Sequence, residues 1–232
     1  MSGFAGLLAS YKLSVAPAEP VLRVSFALDN PSCWPGSGTT ITDLSGYGNN
    51  GTLVNSPTTA STTITTANNA GVPRYISVPY NLPYNKWSIR IIAQPSSTQT
   101  YWATLFGNET YNTTRGFFSY LYSSTGMSYG AVGGGNTYVA TVAGVKRQFD
   151  FTYDGSRFRL YFNGVNVSTS TTFSAFTASS NNLYFGARHT NAGTGATDGS
   201  NTTFYLMQIW DGTLAGADIL TAYNNNKTTY GI

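Results

Sequence analysis

Glu19 and Glu109 are the only glutamates in the chain, His189 is its only histidine and Cys33 its only cysteine. Glycoside hydrolysis calls for two carboxyl groups flanking one bond, and two glutamates ninety positions apart, the first in an N-terminal arm, do not form such a pair locally. A Ser, Thr or Cys nucleophile needs a neighbouring base, and only His189 is on offer. His189 lies in Gly186-Ala187-Arg188-His189-Thr190, at a strand end running into a loop. It is expected to be an exposed loop histidine, with contact to a bound ligand as the alternative. Cys33 has no disulfide partner and reads as a small buried hydrophobe. One histidine and one cysteine leave a zinc site out of reach. The chain reads as non-enzymatic.

Two kinds of binding chemistry remain. Asp43, Asp198 and Asp211, with loop carbonyls and asparagine side chains, offer hard oxygen ligands for calcium if their loops converge. Competing with this, Asp43 sits in a dense turn and Asp211-Gly212 resembles a hairpin. No other cofactor is expected. Sugar binding uses aromatic faces together with amide and carboxylate hydrogen bonds, and the chain holds 17 tyrosines and four tryptophans. Tyr101, Tyr111 and Tyr138, all placed in or beside loops, form the candidate carbohydrate-binding set with His189. Trp34, Trp87, Trp102 and Trp210 read as core.

The elements that must position these residues are strands. Of 232 residues, 41% are apolar and 15% aromatic but only 9% charged, so solubility rests on hydroxyls and amides. A net charge of +3, scattered along the chain, is too weak for a surface that tracks phosphates, which argues against nucleic acid. No stretch approaches the ~20 apolar residues of a membrane span. The opening residues lack a basic segment ahead of their apolar stretch, which predicts a protein without its own secretion signal, made in a cytoplasm. Short β-branched and aromatic runs separated by Gly, Asn, Ser and Pro recur from Val21 to Asp211, the pattern of an all-β sandwich or jelly roll.

The segment from Arg147 to Val167 shows it best. Phe149, Phe151 and Tyr153 alternate with polar residues, Asp154-Gly155 marks a turn, Phe158, Leu160 and Phe162 resume the alternation, and Asn163-Gly164 marks a second turn. The spacing predicts a three-stranded antiparallel meander. Further strands are predicted near 21–28, 75–78, 87–93, 102–106, 116–122, 138–142, 182–186 and 203–210. Leu214, Ile219, Leu220 and Tyr223 predict one short closing helix against a sheet edge. Gly133-Gly134-Gly135 and the segment 190–203 read as exposed loops. The threonine-rich run 56–73 fits either a strand or a loop. Residues 1–20, with Phe4, Leu7 and Leu8 ahead of a Pro17 to Pro20 break, read as an arm outside a single domain spanning 21–232, and an exposed apolar arm implies a partner.

The densest turn chemistry lies between Asp43 and Pro57, where Asp43, Gly46, Gly48, Asn49, Asn50 and Gly51 lead into an apolar strand. Asp43 is expected to accept hydrogen bonds from amides just beyond it. With Leu28-Asp29 and Pro35-Gly36-Ser37-Gly38-Thr39 before it, the run Asp43 to Thr52 resembles the entry signature of laminin-G-like jelly rolls of the concanavalin A-like lectin/glucanase superfamily. The resemblance extends over about residues 21 to 226. It implies a two-sheet antiparallel β-sandwich, a concanavalin A-like jelly roll. Glucanases of that superfamily carry Glu-x-Asp-x-x-Glu on one strand, and this chain does not. The segment that in relatives reads like Phe-Asp-Gly followed by an acidic pair is replaced here by Asn68 to Pro79, and no carboxylate lies between Asp43 and Glu109.

Such domains occur often in virion proteins of tailed phages. The resemblance therefore implies a virion structural protein, assembled in a host cytoplasm and decorating the capsid. Phe4, Leu7 and Leu8 would anchor it to capsid or other virion proteins or to sister chains in a homo-oligomer. The alternative it implies is a carbohydrate-binding module of a tail fibre or knob that recognises cell-surface glycans.

Overall fold

The computed structural model of the chain describes residues 19–69, 71–83, 85–99, 102–109, 116–122, 126–131, 135–140, 143–168, 171–172, 179–190 and 195–232. Within them, alternating apolar and polar positions build two antiparallel sheets around one shared core, with a single helix at the C-terminal end. The first sheet runs in the order Val165–Asn166, Arg157–Phe162, Arg147–Tyr153, Trp87–Pro95, Thr202–Asp211, Thr63–Thr65, Thr58–Ala60, and Val21–Ala27 also pairs with Thr202–Asp211. The second runs Gly135–Ala140, Gly126–Ala131, Phe117–Tyr122, Ala103–Gly107, Leu183–Phe185, Val72–Val78, Gly51–Val54, Thr40–Ile41. The chain passes from Val72–Val78 in the second sheet to Trp87–Pro95 in the first and back to Ala103–Gly107 in the second. Such crossings put each sheet's apolar face against the other, as the jelly-roll expectation requires.

Aromatic rings lock the two layers together. Trp87 of the first sheet meets Phe117 of the second at 4.7 Å and Phe106 at 6.3 Å, both edge-on, and packs on Phe158 of its own sheet at 5.1 Å. Phe106 also meets Phe151 edge-on at 4.8 Å. Each pair adds about 0.5–1.5 kcal/mol beyond the area it buries. Cys33 is buried and free, as expected.

The predicted meander forms with its turns where the sequence put them, as Arg147–Tyr153, Arg157–Phe162 and Val165–Asn166. The threonine-rich run resolves into three short strands, Thr58–Ala60 and Thr63–Thr65 in the first sheet and Ala67–Asn69 against Val72–Val78. Two expectations are corrected. Gly126–Ala131 forms a strand although Gly, Ser and Ala stand where β-branched residues mark the other strands. Segment 190–203 is not simply an exposed loop: Ala196–Thr197 pairs with Arg188–His189, and Ser200 is fully buried.

The helix is longer than predicted, Gly216–Tyr230, because its second half is polar and gave no apolar period. Gly231 ends it in a left-handed conformation, and its amide donates to the Lys227 carbonyl. The helix lies on the meander: Leu220 and Tyr223 crowd Gly164, Asn226 donates to Gln148, and Lys146 donates to the Tyr230 carbonyl. Among the described residues no helix is long and apolar enough to cross a membrane.

Beside this contact, on the outward face of the first sheet, lies a buried ion pair. Arg90 Nε donates to Asp150 Oδ1 at 2.6 Å, and Gln148 donates to Asp150 Oδ2 at 2.7 Å. Removing one member of such a pair strands the other in a place without water. Asp150→Asn is therefore expected to lower unfolding free energy by about 3–5 kcal/mol, read from urea denaturation. The double variant Arg90→Met/Asp150→Leu is expected to lose less than that single change.

Candidate functional site

The outward face of the second sheet carries the molecule's other concentration of aromatic and polar groups. Phe117, Leu121, Met127 and Val139 point into the core. The alternate positions therefore point outward. In register across the strands, Tyr138 lies opposite Ser128, Ser128 opposite Tyr120, and Tyr120 opposite Thr104. Phe118 stacks on Tyr120 at 4.2 Å with an interplanar angle of 13°. Tyr138 is 57% exposed. It reaches back over the neighbouring strand, where a Cβ on Gly126 would come within 2.0 Å of its hydroxyl. Glycine at 126 is thus required for the tyrosine to lie flat on the face.

Trp102 stands at the rim. It precedes the strand Ala103–Gly107 with φ of 67°, a left-handed backbone in which a bulky residue is a true outlier. Its ring meets Tyr120 edge-on at 5.4 Å and remains 38% exposed. The sequence reading placed this tryptophan in the core, and the structure corrects that. Two adjacent aromatics in the sequence, Tyr101 and Trp102, do not fit a simple apolar–polar alternation, and that was the one available signal.

Beneath the aromatic layer is a polar cluster. Tyr120 donates its hydroxyl to Glu109 Oε1 at 2.7 Å, Arg188 Nη1 approaches the same hydroxyl at 3.4 Å, and Arg188 forms an ion pair with Asp198. Glu109 is fully buried, and its Oε2 has no hydrogen-bond partner among the described residues. Its carboxyl group packs against Gly107, where a Cβ would come 2.3 Å from Oε2. Loss of water pushes the Glu109 carboxyl up to about 8, against the opposing pull of the Tyr120 hydrogen bond and the Arg188 charge. Loss of water also raises the Tyr120 hydroxyl well above its ordinary value.

The residues singled out from sequence are distributed differently. Phe4, Leu7, Leu8, Tyr101 and Tyr111 lie outside the described residues. Tyr138 is on the outward face, as above. His189 is not an exposed loop histidine: it is 2% exposed, stacked on Tyr184 at 3.8 Å, with its Nε2 at 2.8 Å from the Asn182 carbonyl. The short pairing of Arg188–His189 with Ala196–Thr197 turns this segment into a strand end and draws the ring inward.

The three aspartates hold separate posts. Asp43 accepts from the amides of Ser25, Ser45 and Asn49 and from the Ser45 hydroxyl, between 2.7 and 3.0 Å, and so organises its turn as expected. Gly46 and Gly48 in that turn have φ of 87° and 75°. Asp198 pairs with Arg188, and Asp211 binds Arg23 and the Tyr80 hydroxyl. Among the described residues no three His, Cys, Asp or Glu side chains gather into a group able to hold a metal ion. The outward face thus exposes the rings of Trp102 and Tyr138, while Thr104, Phe118, Tyr120 and Ser128 are buried and Glu109 lies beneath them beside Arg188 and Asp198.

A comparison with protein-family models finds no match, and no curated protein matches the sequence. Solved structures do match in fold. The chain is similar to Trypanosoma rangeli sialidase in complex with sialic acid, with a TM-score of 0.66 and 11% identity, over 88% of this chain and 32% of that one. It is similar to botulinum neurotoxin type C, in a structure describing cell entry that depends on two ganglioside molecules, with a TM-score of 0.65 and 12% identity, over 88% and 51%. It is also similar to the binding domain of botulinum neurotoxin DC in complex with rat synaptotagmin II, with a TM-score of 0.65 and 11% identity, over 88% and 52%. The chain spans about a third to a half of the length of these neighbours. The likeness shows the two-sheet antiparallel sandwich that the sequence resemblance implied.

The buried carboxyl has a measurable consequence. In the folded chain Glu109 keeps its proton up to a pH of about 8, whereas in the unfolded chain it releases it near 4.5. Its contribution to stability is therefore fully present below the ordinary carboxylate range and is lost as the pH rises through about 8, at up to about 1.4 kcal/mol per pH unit. Glu109→Gln is expected to flatten this fall between pH 5 and 8 in denaturant titrations. An unchanged pH profile in the variant would show that Glu109 is ionised throughout.

Proposed function

We propose that this chain is a non-enzymatic recognition module that binds neutral glycans on the outward face of its second sheet, through Trp102 and Tyr138, with the buried Tyr120 bracing the indole. The observation that carries the reading is Trp102, a partly exposed indole in a left-handed backbone conformation and braced edge-on by Tyr120. Backbone strain of this kind costs on the order of 1–3 kcal/mol and persists where the surroundings over-determine it, most often at binding sites. The indole at the rim, 38% exposed, and the phenol of Tyr138, 57% exposed and lying flat on the sheet, provide stacking surfaces for sugar rings, with the buried Tyr120 bracing the indole. Neutral sugars fit because Arg188 is already paired with Asp198. At the level of fold alone, the neighbours whose structures concern gangliosides and sialic acid support a sugar-binding role.

The sequence resemblance adds a location to this proposal. Phe4, Leu7 and Leu8 ahead of the Pro17 to Pro20 break would attach the sandwich to a larger particle, with capsid decoration of a tailed phage as the form it takes. Mass spectrometry of purified virions tests that part, which requires a copy number matching the capsomers.

Glycan-array screening followed by calorimetry on the best ligand tests the binding reading. Trp102→Ala is expected to weaken affinity by roughly tenfold or more, with a smaller loss for Tyr138→Ala. Gly126→Ala is expected to act like Tyr138→Ala, since it lifts the ring from the face without removing it. Affinity unchanged in all three variants would refute this site, and an array without any binder would refute the function.

A further inference from the structure

The outward face of the first sheet carries a groove of about 450 Å³, with Thr65, Ala67, Gln94, Ser96, Asn201 and Thr203 in its lining. None of its lining residues is charged or aromatic, and these six are half-buried. Because Ile64, Ala93 and Phe204 point into the core, their neighbours Thr65, Gln94 and Thr203 point outward. They stand in one row across three strands, Thr65 opposite Thr203 and Thr203 opposite Gln94. The two threonine hydroxyls meet at 2.9 Å, where one proton serves the pair and the other is left to donate. Gln94 Nε2 donates to the Gly144 carbonyl at 2.8 Å, which leaves its amide oxygen as an acceptor without a partner among the described residues. Asn201 holds the wall in place. Its backbone amide donates to Gln99 Oε1 at 3.0 Å, its carbonyl accepts from Gln99 Nε2 at 2.6 Å and from the Ser96 amide at 2.8 Å, and its Oδ1 accepts from the Asn68 amide at 3.2 Å. The groove is thus formed before any ligand enters.

We propose that this groove is a binding site for the acetamido group of N-acetylated sugars, separate from the Trp102 face. A lining without charge offers an ionised ligand nothing to offset its lost hydration. A secondary amide suits it: the amide carbonyl accepts the free threonine proton, the N–H donates to the Gln94 oxygen, and the acetyl methyl rests on Ala67 and the threonine methyl groups. A sugar ring is the favoured carrier. Ser96 and Asn201 continue the polar lining beyond the row, and the volume lies in the range of small-molecule sites. Selectivity comes from the row itself, since a site built to hydrogen-bond an N–H rejects the analogue that lacks it. With no ring to stack on, this groove recognises its ligand by hydrogen bonds and a methyl seat. It lies on the opposite sheet from Trp102 and does not depend on the glycan reading of that face.

NMR titration of the isotope-labelled full chain with the methyl glycosides of N-acetylglucosamine, N-acetylgalactosamine and N-acetylmannosamine tests this. At least one is expected to shift the backbone amides of Thr65, Asn201 and Thr203 and the side-chain amide of Gln94. It is expected to bind at least about tenfold more tightly than the matching sugar without the acetamido group. The double variant Thr65→Val/Thr203→Val keeps the β-branched shape and removes the donor, and replacing both partners of a hydrogen bond in this way is nearly neutral for stability. It is expected to weaken that binding by about tenfold, and near-ultraviolet circular dichroism checks that it keeps its aromatic packing. The Trp102 indole is read in the same spectra, so the failure of either site is seen apart from the other. Groove amides unmoved by all three sugars, equal binding of the sugar without the acetamido group, affinity untouched in the double valine variant, or an Nε-acetyl-lysine peptide that binds as tightly as the best sugar overturns the proposal.

Discussion

The edge-on packing of Trp87 against rings from both sheets is the constraint on which the rest of the molecule depends. Trp87 begins a central strand of the first sheet and touches Phe117 and Phe106, which lie on adjacent strands of the second. Those two strands carry Tyr120 and Phe118 on their other side and are flanked by Trp102 and Glu109. Because side chains alternate along a strand, fixing the inward rings fixes where the outward ones stand. A one-residue slip would exchange the two sets, placing Tyr120 in the core and Leu121 in water.

The two outward faces are used in contrasting ways. On the first sheet the closing helix packs against the meander, and beside it Arg90, Asp150 and Gln148 satisfy one another in a site with almost no solvent. That face is occupied by the chain itself. On the second sheet glycines stand at 107 and 126 where larger residues would clash, and the space they leave is filled by Glu109 and Tyr138. This face exposes the Trp102 and Tyr138 rings above the buried Tyr120 and Glu109, and its outermost three strands carry no charge at all.

Much of the fold was legible in the sequence because period-two alternation and turn residues are local signals. Phe149 to Phe162 declared two strands and their turn, and Asp43 with its glycines declared a tight reversal that the hydrogen bonds bear out. Gly126–Ala131 was not legible, since Gly, Ser and Ala have low strand propensity and the strand is held by its neighbours. The helix was half legible, because Asn224 to Thr229 contributes polar contacts and little apolar period. The candidate site was least legible. Trp102 looks like any strand tryptophan until its backbone angle is known, and His189 looks like a loop residue until the strand pairing that buries it is known. The cluster of Glu109, Tyr120, Arg188 and Asp198 joins residues up to 89 positions apart, and no local pattern links them.

The glycan-binding proposal is tested most directly by NMR titration of the isotope-labelled chain with an oligosaccharide. The indole N–H of Trp102 and the amides of Tyr120, Ser128 and Tyr138 are expected to shift together and saturate with one dissociation constant. Shifts confined to the helix-covered face of the first sheet, or to the polar groove lined by Gln94, Ser96 and Asn201, with Trp102 unmoved, would contradict the assignment of the second sheet's outward face as the binding surface.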